Sequence, residues 1–578
     1  MDNPLQFADY ASSHDLNQFK SHKDLYLKLA LPYVPRILHL VDQNPYSPNY
    51  GCFDRAFWHY RTMDFPCGMS QEMVLLLALV YKNEYKGNPF YQVSRIKELA
   101  EASIRFMLYS SHKDGTCDDY FPYERAMGAL VFSLYSATES YLELKMEDQE
   151  IADFFIKRVR HLAQENESGR LGNHQALAAL AAYNVFLITG DENARKTAQD
   201  RLELTLSWQN KNEGWIQEYE GADPGYHSCS IDFLAKLRKK RIEKENSEEE
   251  ELTTALLKAV NFAWHFMHPD GSYGGEYGSR NTFHFYPHGF ELLTPASNKA
   301  GQIADAFLEG VTNGKRYRND DDRMTTHYAY NFLQAWEDRS STRPKHIKYS
   351  KEKAETIWLS DCNIVVSRNG QEWNQEKIGR YVVANLTKGG VLKVFDSKGP
   401  IASDTGLIGE LNNGKVIVSH LLQTENEVSG KFDQNKEGEW KIKGAFCYRR
   451  KNQMNVWKNL VLRIWSILFG RFYANFTRSL LQKIAITGKF KSQYYFERKI
   501  ELLKEKVVVT DYFDATIPLR RISVGSDATS IYVANSLTYQ ESRLCPWQHA
   551  NLKNLPIQNG KYQWKREYFR GSGHSPHK

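Results

Sequence analysis

A glycine-centred turn recurs in the first half of this chain, and each copy leads into a long apolar pattern of helical period. HKDGTCDDYFPYERA, NESGRLGNHQALA, KNEGWIQEYEGADPGYHS and HPDGSYGGEYGSR place glycines at 115, 169, 214 and 271, which stand 54, 45 and 57 residues apart. Around them lie QEMVLLLALVYKNEY, ERAMGALVFSLYSATESYLEL, EIADFFIKRVRHLA, HQALAALAAYNVFLI and ENARKTAQDRLELTLSW, with apolar residues at i, i+3, i+4 and i+7. Two helices per repeat, joined by short turns, form a ring when each hairpin buries its apolar face on the next. In such a ring the turns gather at one rim and line a cleft. Residues 1–345 are therefore expected to form an (α/α) toroid that carries the active site.

Beyond about residue 345 the period falls to two. TIWLSDCNIVVSRNG, RYVVANLTKGGVLKVFD, GKVIVSHLL, YYFERKIELLKEKVVVTDYF, RRISVG and TSIYVAN are β-branched or aromatic runs bounded by Gly, Asn and Asp. Residues 346–578 are expected to be an antiparallel β-sandwich, which makes the chain an α+β multidomain protein. From Trp440 to Phe496 there are twelve Lys or Arg and no Asp or Glu, although the whole chain is only +6. The remainder is therefore net acidic, and nucleic acid is not an expected partner. Inside that block, residues 452–490 mix Trp, Leu, Ile and Phe with Lys and Arg. Lys458 and Arg463 interrupt the apolar run too early for a membrane span. The pattern suits an amphipathic insertion lying on an anionic membrane surface, or a helix packed between the domains.

Aromatic residues make up 13% of the chain. Most are expected in cores, but some suit stacking on sugar rings. The start, MDNPLQFADYASSHDLNQFK, has neither the basic nor the apolar region of a secretory leader. The seven cysteines are odd in number and never in CxxC spacing, which argues against a disulfide framework or a zinc site. A cytoplasmic setting, peripheral at the inner membrane, is the expectation.

LGNHQALAALAAY, with Asn173 and His174 opening a helix, and EYEGADPGYHSCSIDFLA, with Tyr226 52 residues after His174, resemble the heparinase II/III-like polysaccharide lyases. GGVLKVFDSKGPIASDTGLIGEL resembles the first sandwich hairpins of that family, which includes a uronate C5-epimerase branch. The resemblance implies that Asn173 and His174 bind a substrate carboxylate and that Tyr226 transfers a proton. The family's sandwich histidine has no counterpart in its usual place, where this chain reads Asn385, Leu386, Thr387 and Lys388. His346 and His420 both lie outside that motif.

Cleaving a uronate polymer by elimination needs a cation or donor on the C5 carboxylate, a base for the C5 proton and an acid for the leaving oxygen. EYGSRNTFHFYPHGFELL supplies Tyr277, Arg280, His284 and His288. Arg280 suits a carboxylate, and either histidine could replace the missing one. Pro287 stands between the two histidines and no third ligand is in register, so neither a metal nor any other cofactor is expected. FDRAFWHYRTMDFP and CDDYFPYERA add Trp58, Arg61, Tyr123 and Arg125 as sugar-binding candidates. The leading expectation is a lyase-like enzyme that abstracts a C5 proton from a uronate-containing polysaccharide or oligosaccharide. The alternatives are a C5-epimerase or other exopolysaccharide enzyme on a lipid-linked glycan, and a glycan-binding protein without catalysis. An inverting hydrolase would instead need two of Asp118, Asp119, Glu218, Glu220 and Asp223 across the cleft.

Overall fold

A computed structural model describes residues 21–167, 169–246, 249–314, 326–343, 355–369, 380–396, 399–432, 438–449, 454–484, 488–503, 506–527 and 541–569. Its helical half is α1 (Leu25–Ala30), α2 (Tyr33–Leu40), α3 (Val74–Lys82), α4 (Ser94–Ser110), α5 (Met127–Glu143), α6 (Gln149–Gln164), α7 (Gly172–Thr189), α8 (Glu192–Ser207), α9 (Pro224–Glu245), α10 (Glu250–Trp264), α11 (Pro287–Leu293), α12 (Asn298–Thr312) and α13 (Thr326–Glu337). Helices α3, α5, α7, α9, α11 and α13 pack each on the next, and α13 returns to α3. They form a closed inner ring. Helices α4, α6, α8, α10, α12 and α1 form the outer layer, and α13 also packs on α1. This is an (α/α) toroid.

Position in the ring decides which helices are amphipathic. Outer helix α6 buries Ile151, Phe154, Phe155, Val159 and Leu162 on one face, and its other face is wet. Inner helices touch neighbours all round, so α5 and α7 are buried on nearly every side and read as apolar throughout. In α7 the run Ala176, Ala178, Ala179, Ala181 and Ala182 lets these neighbours approach closely. The four repeating glycines all have positive φ and all lie between an outer helix and the next inner one. At Gly214 a β-carbon would meet the Lys258 carbonyl oxygen at 2.5 Å. All four turns therefore lie at the rim where inner helices begin. The charged run RKKRIEKE at 238–245 forms the end of α9, and Arg241 bridges to Glu249 at the start of the next helix at 2.7 Å.

The second half opens with β1 (Glu355–Leu359), β2 (Ile364–Asn369), β3 (Arg380–Asn385), β4 (Val391–Asp396) and β5 (Gly399–Asp404), a five-stranded sheet in sequence order. The junction expected at 345/346 and His346 lie outside the described residues. The ten-stranded sheet comprises β6 (Leu407–Leu411), β7 (Val416–Val418), β8 (Glu427–Phe432), β9 (Gly438–Arg449), β10 (Lys491–Leu502), β11 (Lys506–Asp514), β12 (Leu519–Val524), β13 (Gln548–Ala550), β14 (Ile557–Gln558) and β15 (Lys561–Phe569). Its order is β13-β12-β6-β7-β9-β10-β11-β15-β14, with β8 paired to β9. All the strand pairings are antiparallel. The expected strand TSIYVAN falls outside the described residues.

Strands β3 and β4 are buried at every position. Tyr381, Val383, Val391 and Phe395 point into the toroid core, whereas Val382, Ala384, Leu392 and Val394 point into the sandwich core. A sheet covered on both faces needs continuous apolar runs rather than alternation, which is what RYVVAN and VLKVFD supply.

Inside the sandwich a neutral quartet is sealed from solvent. Arg498 pairs with Asp404 at 2.8 Å and with Asp511 at 2.7 Å, and Arg566 pairs with the same two carboxylates at 3.0 and 2.6 Å. Removing one member strands a buried charge, so Arg498→Met should destabilise the fold by about 3–5 kcal/mol. Urea unfolding followed by tryptophan fluorescence measures this, and a loss under about 1 kcal/mol would show that solvent reaches the quartet.

Candidate active site

The rim where inner helices begin gathers one connected set of polar side chains. Its centre is Glu218, in a two-residue ladder of Gln217–Glu218 with Gly221–Ala222. One oxygen of its buried carboxylate, Oε1, accepts from the Asn173 backbone N–H at 2.8 Å and from Asn173 Nδ2 at 2.7 Å. The other, Oε2, accepts from Arg280 Nη1 at 3.0 Å. Asn173 is thus not a helix cap. It sits one residue inside α7, and Glu218 supplies the negative charge that this helix end attracts. Gly172 permits the approach, since a β-carbon there would meet Ile216 Cγ2 at 2.3 Å. Burial raises the Glu218 pKa, and Arg280 opposes that rise.

Asp223 aims Arg280. Its carboxylate accepts from the Tyr226 N–H at 3.0 Å, capping α9, and from the Arg280 N–H at 2.8 Å, and it also bonds Thr282 Oγ1. The Arg280 guanidinium then lies 3.8 Å from the Tyr226 ring centroid and 4.9 Å from that of Tyr219. The edge of Tyr226 meets His284, with centroids 4.9 Å apart. His284 Nδ1 bonds the Tyr328 hydroxyl, while Nε2 has no hydrogen-bond partner among the described residues. Burial, followed by the charges of His327 and Arg280, holds the His284 pKa far below the ordinary range, so its ring is neutral. Arg280 by itself would lower the Tyr226 pKa. Burial outweighs Arg280 and pushes it up instead, which keeps the phenol protonated.

His174 is held beside this group. Its Nδ1 lies 2.5 Å from Glu167 Oε2, and its ring meets the edge of Phe132. Gly128 on α5 leaves room for the imidazole. Burial works to raise the Glu167 pKa, but Arg478 and His174 overcome it and hold it at about 2. Arg478 comes from the basic insertion and bonds Glu167 directly. A groove of about 490 Å³ opens between that insertion and the rim, lined by Glu220, Gln482, Lys489 and Phe490 among others.

The other expected residues occupy different surroundings. His288 Nε2 bonds Asp338 at 2.8 Å, and its Nδ1 lies 3.8 Å from Asp232, inside an ionic cluster with Lys236. Tyr277 is buried, with its hydroxyl on His268 Nε2 at 2.9 Å and its ring on Phe266. Asp118 shapes the loop of Tyr123 and Arg125 by accepting their N–H groups at 2.7 and 3.0 Å, which holds both at positive φ. Tyr123 stacks on His112, and Arg125 pairs with Asp114 at 2.5 Å. Trp58 donates to the Leu40 carbonyl at 2.8 Å, and Arg61 is exposed in left-handed backbone. The five hydrolase carboxylates are all engaged. Asp118, Glu218 and Asp223 are committed as above, Asp119 accepts from Cys67, and Glu220 pairs with Lys489 at 2.5 Å. Among the described residues no group of three or more His, Cys, Asp or Glu is placed to hold a metal.

The sandwich supplies two residues whose roles the sequence did not reveal. Asn385 Nδ2 donates to the Tyr277 carbonyl at 2.8 Å. Lys388 Nζ donates to the carbonyls of Glu276 and Gly278 at 2.6 and 2.7 Å and to Asn281. Together they clamp the loop that carries Arg280. Burial brings the Lys388 pKa down to about 7. His420 is also buried on the sandwich side, near Lys388, with neither ring nitrogen bonded among the described residues.

No protein-family model matches this chain, and no curated protein does either. Solved structures do. The chondroitin AC lyase of Streptomyces coelicolor A3 aligns with a TM-score of 0.53 at 10% identity, over 88% of this chain and 68% of its own. A Paenibacillus xanthan lyase aligns at 0.49 and 10%, over 91% of this chain, which spans about half (47%) of that enzyme's length. The heparan sulfate lyase HepC of Pedobacter heparinus gives 0.37 and 11%, over 79% and 63%. The chain shares the fold of that chondroitin AC lyase, here an α/α toroid followed by an antiparallel β-sandwich.

The depressed Glu167 gives a pH signature. Its pairing with Arg478 and His174 stabilises the protein fully above the ordinary value of 4.5, and that contribution is lost as pH falls toward about 2. The stability gap between wild type and Glu167→Gln should therefore narrow over that interval. Thermal unfolding across a pH series measures it, and a constant gap would place the charge coupling elsewhere.

Proposed function

We propose that this chain is a lyase-like enzyme that removes the C5 proton of a uronate residue in a glycan and expels the substituent at C4. The observation that carries the reading is Arg280, pinned by Glu218 and Asp223 across the face of Tyr226, with neutral His284 at the edge of the same ring. A guanidinium matches a carboxylate and would stabilise the charge that grows on it as C5 loses its proton. In the tautomer that donates Nδ1–H to Tyr328, His284 offers the Nε2 lone pair as base. Protonated Tyr226 suits the acid role. The C5–H pair becomes the C4=C5 double bond, the C4–O bond breaks, and the departing oxygen takes the Tyr226 proton. Asn173 and His174 act through Glu218 and Glu167 on the cation and the rim, rather than through a free contact of their own. The fold shared with chondroitin AC lyase supports a glycan as substrate.

A C5-epimerase begins with the same abstraction and ends with reprotonation, so product chemistry separates the two. Uronate polymers incubated with the protein should gain the ultraviolet absorbance of a C4=C5 uronate. Exchange of deuterium from solvent into C5 without that absorbance would assign the epimerase instead. Tyr226→Phe removes one hydroxyl and little volume, and should lower kcat by about 10²–10⁴ with the fold retained. Unchanged turnover in a folded Tyr226→Phe protein would remove this residue from the chemistry.

The buried, low-pKa His284 carries a further expectation. An ordinary histidine base would lose activity below about pH 6.5. Here kcat should show no acid limb near that value, and a limb there would assign proton removal to another group.

A further inference from the structure

Between β9 and β10 the chain leaves the sandwich as α14 (Val456–Trp465), a π-helical turn (Ser466–Gly470) and α15 (Arg471–Gln482). The backbone bends at Tyr473, where φ and ψ depart from helical values, and Trp465 Nε1 reaches Thr477 Oγ1 at 2.9 Å. The result is a folded-back helical arm laid across the rim. Its inward contacts include several polar bonds. Arg463 bonds Asp64, Arg478 bonds Glu167, Asn475 bonds Glu165 at 2.8 Å, and Gly470 packs on Tyr123.

Its outward face is apolar, the reverse of a helix that belongs to a core. Trp457, Leu460, Val461, Ile464 and Leu468 follow helical spacing along one side of the first limb, and Phe472, Phe476, Leu480 and Ile484 follow it along the second. Trp457 is 74% exposed and Phe472 65%. Soluble monomers rarely leave a continuous surface of this kind open, so something covers it. Charge selects what. Lys458 and Lys483 are exposed beside the apolar stripes, and the arm contains no acidic residue. A second copy seated face to face would bring like charges together with no carboxylate from either arm to pair them. An anionic bilayer offers acyl chains to the aromatic residues and headgroups to the lysines. Among the described residues no helix is long and apolar enough to cross a membrane, so the arm would lie in the interface.

We propose that the outer face of this arm docks on an anionic lipid surface. If the site acts as proposed above, docking presents the groove beside Arg478 to a glycan carried on a lipid anchor. The docking itself does not depend on that reading, and its test reads no activity.

The full chain is sedimented with vesicles of phosphatidylcholine alone or mixed with phosphatidylglycerol. We expect binding to the mixed vesicles, little to the neutral ones, and weakening by added salt. The triple variant Trp457→Ser, Leu460→Ser, Phe472→Ser alters exposed positions only and should lose at least about tenfold in partitioning. Lys483→Glu, which leaves the apolar face intact, should lose about fivefold or more at low salt. This second variant decides the matter if the triple variant misfolds. Equal partitioning to neutral and anionic vesicles, or none to either, would overturn the proposal. So would a concentration-dependent dimer in light scattering that the triple variant abolishes, because a second copy would then be the occupant.

Discussion

One buried carboxylate holds the rim together. Glu218 satisfies the first turn of α7 through Asn173 and neutralises Arg280, which belongs to the loop before α11. A guanidinium removed from water is tolerable only when its charge and donors are matched, and Asp223 completes that match through the Arg280 backbone. Three separate inner helices are registered to one another by this pair of acids. The cation lies over Tyr226 with its guanidinium on Glu218 and its backbone N–H on Asp223. The geometry proposed for the chemistry thus accompanies the pairing of buried charge.

The sandwich sets the same loop from the other side. Asn385 and Lys388 spend their side chains on carbonyls of residues 276–281. A lysine buried that deeply costs free energy, and its depressed pKa reports the cost. Three acceptors offset part of it. The position where related sandwiches were expected to offer a histidine is occupied here by a structural clamp.

How much of this the sequence discloses depends on the reach of each interaction. Helical period, glycine turns and the change to strand period are local signals, and they identified the toroid, the sandwich and the basic insertion. The distinction between inner and outer helices comes from the structure, where the helix of HQALAALAAY is buried on nearly every side. The Glu218–Arg280 pair joins residues 62 apart, and neither stands in a pattern that points to the other. Lys388 was noted only as the occupant of an unexpected place. His288 looked equivalent to His284, yet Asp232 and Asp338 draw it into a different cluster. The direction of the Tyr226 shift was not legible either, because a sequence shows neither the cation folded against the ring nor the depth of burial. The arm's polarity was invisible for the same reason, since amphipathic spacing does not say which face turns outward.

The sheet shared by two cores has a consequence for how such a chain can be inherited. Strand β3 gives Tyr381 and Val383 to the toroid and Val382 and Ala384 to the sandwich. Neither half can be excised with its own hydrophobic surface intact, because the wall of one is the wall of the other. Recombination that swapped the sandwich would uncover the toroid, and a toroid expressed alone would present a greasy rim to solvent. The two halves must therefore diverge together, each constraining substitutions in its neighbour through a partition one strand thick. Innovation in such a protein is confined to what hangs outside the partition, namely the rim loops and the arm.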